Sequence, residues 1–199
     1  MTIFEIVVIP ATEAYLENPA ILKPVLEALR KTPGVIKQWI GARVEDKKLV
    51  HHVIEWESFE AKDKFDASPS SEELLALVKP ASNGEPTFYT LTVDHPADGV
   101  LAAPITEYAI ATVTEEHKEE LVSLLKSLGS ELVTSVKSCY GPPSLGQVRE
   151  SSGKVVLLLG WDTVQAHLDA VKDHKGVGKL FIIASLEVVH APMAKYPPA

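Results

Sequence analysis

Residues 49–61 read Leu-Val-His-His-Val-Ile-Glu-Trp-Glu-Ser-Phe-Glu-Ala, and the pattern returns at residues 155–166 as Val-Val-Leu-Leu-Leu-Gly-Trp-Asp-Thr-Val-Gln-Ala. In each copy an apolar run ends on a Trp. An acid and a hydroxyl residue follow, then a helix-forming run. A β-branched, apolar run with polar flanks reads as a strand. The Ser or Thr behind it can cap a helix, because its side-chain oxygen accepts a hydrogen bond from an orphaned backbone N–H of the first turn. A strand-to-helix junction that occurs twice in one chain points to a duplicated unit.

Working outward from the first junction, residues 3–9 are apolar and closed by Pro10, which predicts a first strand. Asn18-Pro19 and Lys23-Pro24 are both helix openings, since Pro suits the first turn. Ile21, Leu22, Val25, Leu26 and Leu29 then repeat at helical spacing up to Thr32-Pro33-Gly34. Residues 35–44 and 49–56 predict strands joined by the polar turn 45–48. Ser58 caps the next helix, and Ser70 with Glu73 predicts a capping box before a further helix at 71–79. Residues 86–95 predict a fourth strand. The order β-α-β-β-α-β is that of a ferredoxin-like unit.

Residues 96–104 read as a linker, and then the order restarts. Residues 105–113 predict a strand, and Thr114 opens a helix that Gly129 ends. Residues 133–140, 154–161 and 181–190 predict strands, with a helix capped by Thr163 between the last two. In this register Trp39 falls against Cys139, and Trp56 against Trp161. The second copy carries a longer hairpin at 141–153. In place of the 71–79 helix it has the Gly-bearing stretch 173–179.

A sheet with helices on one face leaves the other bare, and an apolar bare face must find a partner. Here the strands are apolar on both faces: Val155, Leu157 and Leu159 share one, Val156 and Leu158 the other. The fold class expected is α+β, with two ferredoxin-like repeats, residues 1–98 and 99–199, packed sheet to sheet within one chain. The duplication supplies internally what a dimer would supply, so a monomer or a homodimer is expected.

The net charge of −8 argues against nucleic acid and against an anionic membrane surface, both of which need a basic face. The single cysteine, Cys139, excludes an internal disulfide and fits a reducing compartment. Glu5 and the lack of a basic flank make the N-terminus a poor signal peptide. No apolar run approaches the roughly 20 residues of a membrane span. A cytoplasmic protein is expected.

Glu55-Trp56-Glu57-Ser58-Phe59-Glu60-Ala61 and Trp161-Asp162-Thr163-Val164-Gln165-Ala166 resemble the dimeric α/β-barrel superfamily, especially its antibiotic-biosynthesis-monooxygenase branch. The resemblance covers nearly the whole chain and implies an intramolecular version of the two-chain barrel. It also implies a range of chemistries: cofactor-free oxygenation of quinols or polyketides, polyketide cyclisation, haem degradation, or stress-related barrels without clear chemistry. Two departures narrow the range. Relatives in the monooxygenase branch often carry His where this chain has Phe65, ahead of Ala67-Ser68-Pro69. The haem-degrading members use an Asn on the first strand, and neither first strand here has one.

His51 and His52 are the sharpest chemical signal. Neighbours on a strand point to opposite faces, so the two cannot share one metal. The second copy has Val156 and Leu157 at the matching places. His52 would lie under the helices, where a neutral imidazole can act as general base toward a phenol or enol. The same pair also reads as solvated or hydrogen-bonded histidines at a wet sheet edge. With His52 as catalytic base, Trp56, Tyr89, His51 and Tyr108 are the candidate substrate-binding residues. Trp56 and Trp161 read equally as core anchors. Cys139 reads as a buried structural thiol, His167 as exposed, and His95 and His190 as structural or surface residues. No His-Glu-x-x-His, phosphate loop or Gly-x-Ser-x-Gly elbow occurs, so no metal and no cofactor is expected. The two functional readings are a cofactor-free enzyme acting on a small apolar aromatic or polyketide-type molecule, and a non-catalytic binding or stress-type protein. A cavity of roughly 300 Å³ or more beside His52 would separate them.

Overall fold

The computed structural model describes residues 3–197. The chain divides into two compact units, Met1–Thr90 with Ala194–Ala199, and Leu91–Met193.

In the first unit, strand β1 (Ile3–Pro10) leads into helices α1 (Glu13–Glu17) and α2 (Lys23–Arg30), joined by a 3-10 turn at Pro19–Leu22. Strands β2 (Val35–Ala42) and β3 (Leu49–Trp56), helices α3 (Phe59–Asp66) and α4 (Pro69–Val78) and strand β4 (Thr87–Val93) follow. β1 and β2 each pair antiparallel with β3, and β4 lies beside β1, giving the order β4-β1-β3-β2. Both predicted helix openings are used. Asn18 Oδ1 accepts from Ala20 N at 3.2 Å, and Pro24 sits in the first turn of α2. Ser58 Oγ accepts from Ala61 N at 3.2 Å and fixes the start of α3. The predicted capping box is not used. α4 begins at Pro69 because proline's fixed φ suits a first turn, and Ser70 falls inside the helix.

The second unit opens on the short helix α5 (Asp98–Leu101) and strand β5 (Ile105–Val113). A 3-10 turn at Glu115–His117, helix α6 (Lys118–Ser135), strands β6 (Cys139–Val148) and β7 (Lys154–Trp161), helices α7 (Val164–Val171) and α8 (Lys175–Ile183) and strand β8 (Ala184–Ala191) complete it. Its order, β8-β5-β7-β6, repeats that of the first unit position for position. The last residues of β4, Leu91 to Val93, pair with β6. A short strand β9 (Ala194–Tyr196) belongs to the first unit and pairs with β2. Each unit is a ferredoxin-like α+β repeat.

Further expectations are corrected. Gly129 does not end its helix: α6 runs on to Ser135, and the strand expected at 133–140 starts at Cys139. A mid-helix Gly costs about 1 kcal/mol relative to Ala, and here it eases a close approach, since a Cβ would lie 3.0 Å from the Pro143 ring, a tight contact. Val35 and Cys139 therefore hold the same place, each opposite its Trp, and Trp39 is not the match of Cys139. The stretch 173–179 is not a substitute for a helix but the start of α8, capped by His174 Nδ1, which accepts from Gly176 N at 3.1 Å. Finally, the expected linker is packed: Ala97, Val100 and Leu101 are buried, and Thr106 Oγ1 donates to Val100 O at 2.9 Å.

The main apolar core of each unit lies on the helix side of its sheet. In the first, Val7, Ile9, Ile54 and Trp56 meet Val25 and Leu29 of α2. In the second, Leu157, Leu159 and Trp161 meet Leu121, Leu125 and Leu128 of α6. The opposite face of β3 is buried as well, at His51, Val53 and Glu55.

Candidate functional site

Both units build the same buried constellation at the end of their third strand. In the first, Glu5 on β1 stands opposite Ile54, two residues before Trp56. Trp56 Nε1 donates to Glu5 Oε2 at 3.0 Å. Lys62 on α3 places Nζ 3.1 Å from Glu5 Oε1 and 2.6 Å from Asp66 Oδ2. In the second, Glu107 on β5 stands opposite Leu159, and Trp161 Nε1 donates to Glu107 Oε2 at 2.6 Å. His167 occupies the place of Lys62, one residue after the matched Ala61 and Ala166. It lies 3.6 Å from Glu107 Oε2, and its Nδ1 is 2.8 Å from His190 Nε2. The caps explain the match. Ser58 and Thr163 start α3 and α7 at the same distance from the Trp, so the residue one turn in falls over the buried Glu.

The electrostatics differ. Burial raises the Glu5 pKa above its ordinary value, while the Lys62 ammonium and the Trp56 N–H act against that rise. Burial alone would lower Lys62, but Glu5 and Asp66 outweigh it and hold the amine as a cation. Glu107 is pushed up to about 7 by burial, opposed by the Trp161 hydrogen bond.

A cavity of about 330 Å³ opens between helices and sheet of the first unit. Val7, Ile9, His52 and Ile54 form its floor, and Phe65, Leu74 and Val78 stand on the helix side. Glu5, Lys62 and Asp66 make its polar end. A more open hollow of about 600 Å³ lies among α2, α3 and α4 and shares Phe65 and Leu74 with it.

His52 is the imidazole of this cavity. Its Nε2 lies 3.0 Å from Gln38 Oε1, and Gln38 Nε2 donates to Leu26 O at 2.8 Å. The amide nitrogen must face the carbonyl, so the amide oxygen faces His52 and accepts from Nε2–H. The neutral ring then keeps its lone pair on Nδ1. Burial lowers the His52 pKa to about 4, so the ring is neutral at pH 7.

The other sequence candidates lie elsewhere. His51 is on the opposite face of β3, where its Nε2 accepts from Arg43 Nε at 2.7 Å; burial and that guanidinium lower its pKa to about 3. Trp56 sits behind the cavity, its ring 5.4 Å from that of Phe65 and its N–H engaged by Glu5. Tyr89 is buried on β4, while its neighbour Phe88 lines the cavity. Tyr108 is fully buried on β5 of the second unit, and burial raises its pKa. His167, expected to be exposed, is buried, because α7 turns that position toward Glu107. The sequence reading passed over Glu5, Lys62 and Gln38. A usable signal was present: one acid stands third in each apolar first strand, in Ile-Phe-Glu and Ile-Thr-Glu, and one basic residue follows each matched Ala.

Among the described residues no group of three or more His, Cys, Asp or Glu is placed to hold a metal ion. No helix among them is long and apolar enough to cross a membrane.

Solved structures share this architecture. An anthrone oxidase-like protein superposes with a TM-score of 0.75 over 98% of this chain and 94% of its own, at 14% identity. The chain shares the fold of that protein. A candidate monooxygenase from Fusobacterium nucleatum subsp. nucleatum gives 0.68 over 96% of this chain and 92% of its own, at 12% identity. A candidate chlorite dismutase gives 0.64 over 98% and 95%, at 10% identity. The fold is carried here by two repeats, and it serves proteins of different description, so the reaction must be argued from the site. No protein-family model matches the sequence, and no curated protein matches it significantly.

Proposed function

We propose that the first repeat is a monooxygenase-like, cofactor-independent enzyme for a small apolar aromatic or polyketide-type molecule, bound between its helices and sheet. The observation that carries this reading is the cavity of about 330 Å³ with His52 in its floor. At the matching place the second repeat has Leu157, packed into its core. A buried imidazole is tolerated where it is hydrogen-bonded, and Gln38 supplies that bond at Nε2, leaving the Nδ1 lone pair for chemistry.

An anthrone serves as the example. His52 Nδ1 takes the acidic ring C–H proton, leaving a carbanion delocalised onto the oxygen. Dioxygen adds at that carbon to give a hydroperoxide, with the proton returned from His52. Loss of water leaves the quinone, so one anthrone and one O₂ yield one quinone and one water. The base role requires the neutral ring, which the lowered pKa secures at pH 7. Oxygen uptake and quinone absorbance with anthrone are the test. His52→Ala should lose turnover by roughly a hundredfold or more while keeping the far-UV spectrum of the wild type. Unchanged turnover removes His52 from the mechanism.

One observation favours a second reading, a non-catalytic binding protein. An imidazole with a pKa near 4 is a weak base at pH 7. Anthrone that binds in the cavity but is not oxidised faster than in buffer would select this reading.

A further inference from the structure

The polar end of the cavity names the ligand's own polar group, on the reading that this cavity binds a small apolar molecule. We infer that Lys62 donates an N–H to a ketone or enolate oxygen of the molecule held there. An ammonium has three donors. Glu5 Oε1 at 3.1 Å and Asp66 Oδ2 at 2.6 Å engage two of them. Lys62 is nevertheless among the residues lining the cavity, although it is only 7% exposed. The third N–H is left for the cavity's contents.

The surroundings restrict what that content is. Val7, Ile54, Phe65 and Leu74 ask for an apolar body. Glu5 and Asp66 already set two carboxylates around one ammonium, so a ligand carboxylate would be a third. A ketone brings no charge of its own and still accepts. The second repeat is an internal control. There His167 replaces Lys62, and its two nitrogens are directed at His190 and Glu107.

The spacing suits one chemistry. Glu5 pairs with Ile54, two residues along β3 from His52, so the backbone positions that carry His52 and face Glu5 are about 7 Å apart on one side of the sheet. A carbon acid can turn its C–H toward His52 and its conjugated oxygen toward Lys62, since both line the one cavity. The proton moves from carbon to His52 Nδ1, and the electron pair it leaves settles on the oxygen. The Lys62 N–H bond strengthens as that charge develops. Lys62 is then a catalytic residue beside His52.

The test uses two probes of one shape under anaerobic conditions: anthrone, and 9,10-dihydroanthracene, which has CH₂ in place of the carbonyl. Affinities are measured by equilibrium dialysis for wild type and Lys62→Met. A hydrogen bond from a charged donor should make wild type prefer anthrone by about tenfold or more. Lys62→Met should erase that preference and leave the hydrocarbon's affinity within about twofold. If Lys62→Met does not fold, Glu5→Gln with Lys62→Met removes both charges and takes its place. Equal binding of the two probes to wild type, or a preference that survives in the variant, overturns the role of Lys62 and leaves the cavity reading standing. Failure of both probes to bind wild type overturns both.

Discussion

The two repeats share an acid, a Trp and a base in the same places, yet they put them to different ends. In the first, a lysine faces Glu5 and keeps a charged pair at the edge of an open cavity. In the second, a histidine faces Glu107 and turns to His190, and Leu157 stands in the apolar core where the first repeat has His52. Duplication relieves one copy of whatever the other must do. What it teaches is that the shared part, acid to Trp, ties helix to sheet, while the residue one turn into the helix sets the charge and the partners around the acid.

The shared part gives the largest expected effect. Trp56→Ala and Trp161→Ala each remove a fully buried indole and its bond to a buried acid. Each should lower stability by roughly 3–5 kcal/mol in urea denaturation. A variant within about 1 kcal/mol of wild type would end the claim that the two anchors are equivalent.

Two buried groups, Glu107 and His52, should give stability opposite pH dependences. Glu107 titrates near 7 when folded and near 4.5 when unfolded, so its folded pKa is raised. Its contribution is fully present below pH 4.5 and is lost as pH rises through about 7, by about 3 kcal/mol in all. His52 titrates near 4 when folded and 6.5 when unfolded, so its folded pKa is depressed. The unfolded chain takes up the proton first, and stability is lost as pH falls from 6.5 through 4. Glu107→Gln should flatten the stability profile between pH 4.5 and 7 on its rising-pH arm, and His52→Leu should flatten its acid arm. Profiles that superpose on wild type would remove the buried titrations from the argument.

The smallest effect comes from the caps that set the register of the whole arrangement. Ser58→Ala and Thr163→Ala each lose one bond to the first turn of a helix. Thermal denaturation should show about 1 kcal/mol lost in each. A loss several times larger in one would mean that its helix start also carries the site.

Much of the fold was legible because it is written in short-range pattern. The third strands, Leu49–Trp56 and Lys154–Trp161, and β5 at Ile105–Val113 fall where alternation and flanking polar residues put them. Ser58 and Thr163 cap where a hydroxyl behind a strand should. The errors cluster where a local rule met tertiary packing. Gly129 reads as a stop but is the gap that lets Pro143 approach α6. The Gly-bearing stretch 173–179 reads as a replacement for a helix, yet α8 starts within it and buries Leu180.

Of the candidate site, the sequence by itself marked His52, since a histidine where the repeat has Leu is visible without coordinates. It also fixed the two-repeat order and the Trp that ends each third strand, because strand period and capping act over a few residues. Only the tertiary structure joined Glu5 to Lys62 across 56 intervening positions, fixed the His52 tautomer through Gln38, and opened the cavity above the first sheet. Those depend on which side chains meet after the helices settle on the sheet. Contact between residues far apart in the chain is set by packing and burial, which no local pattern encodes.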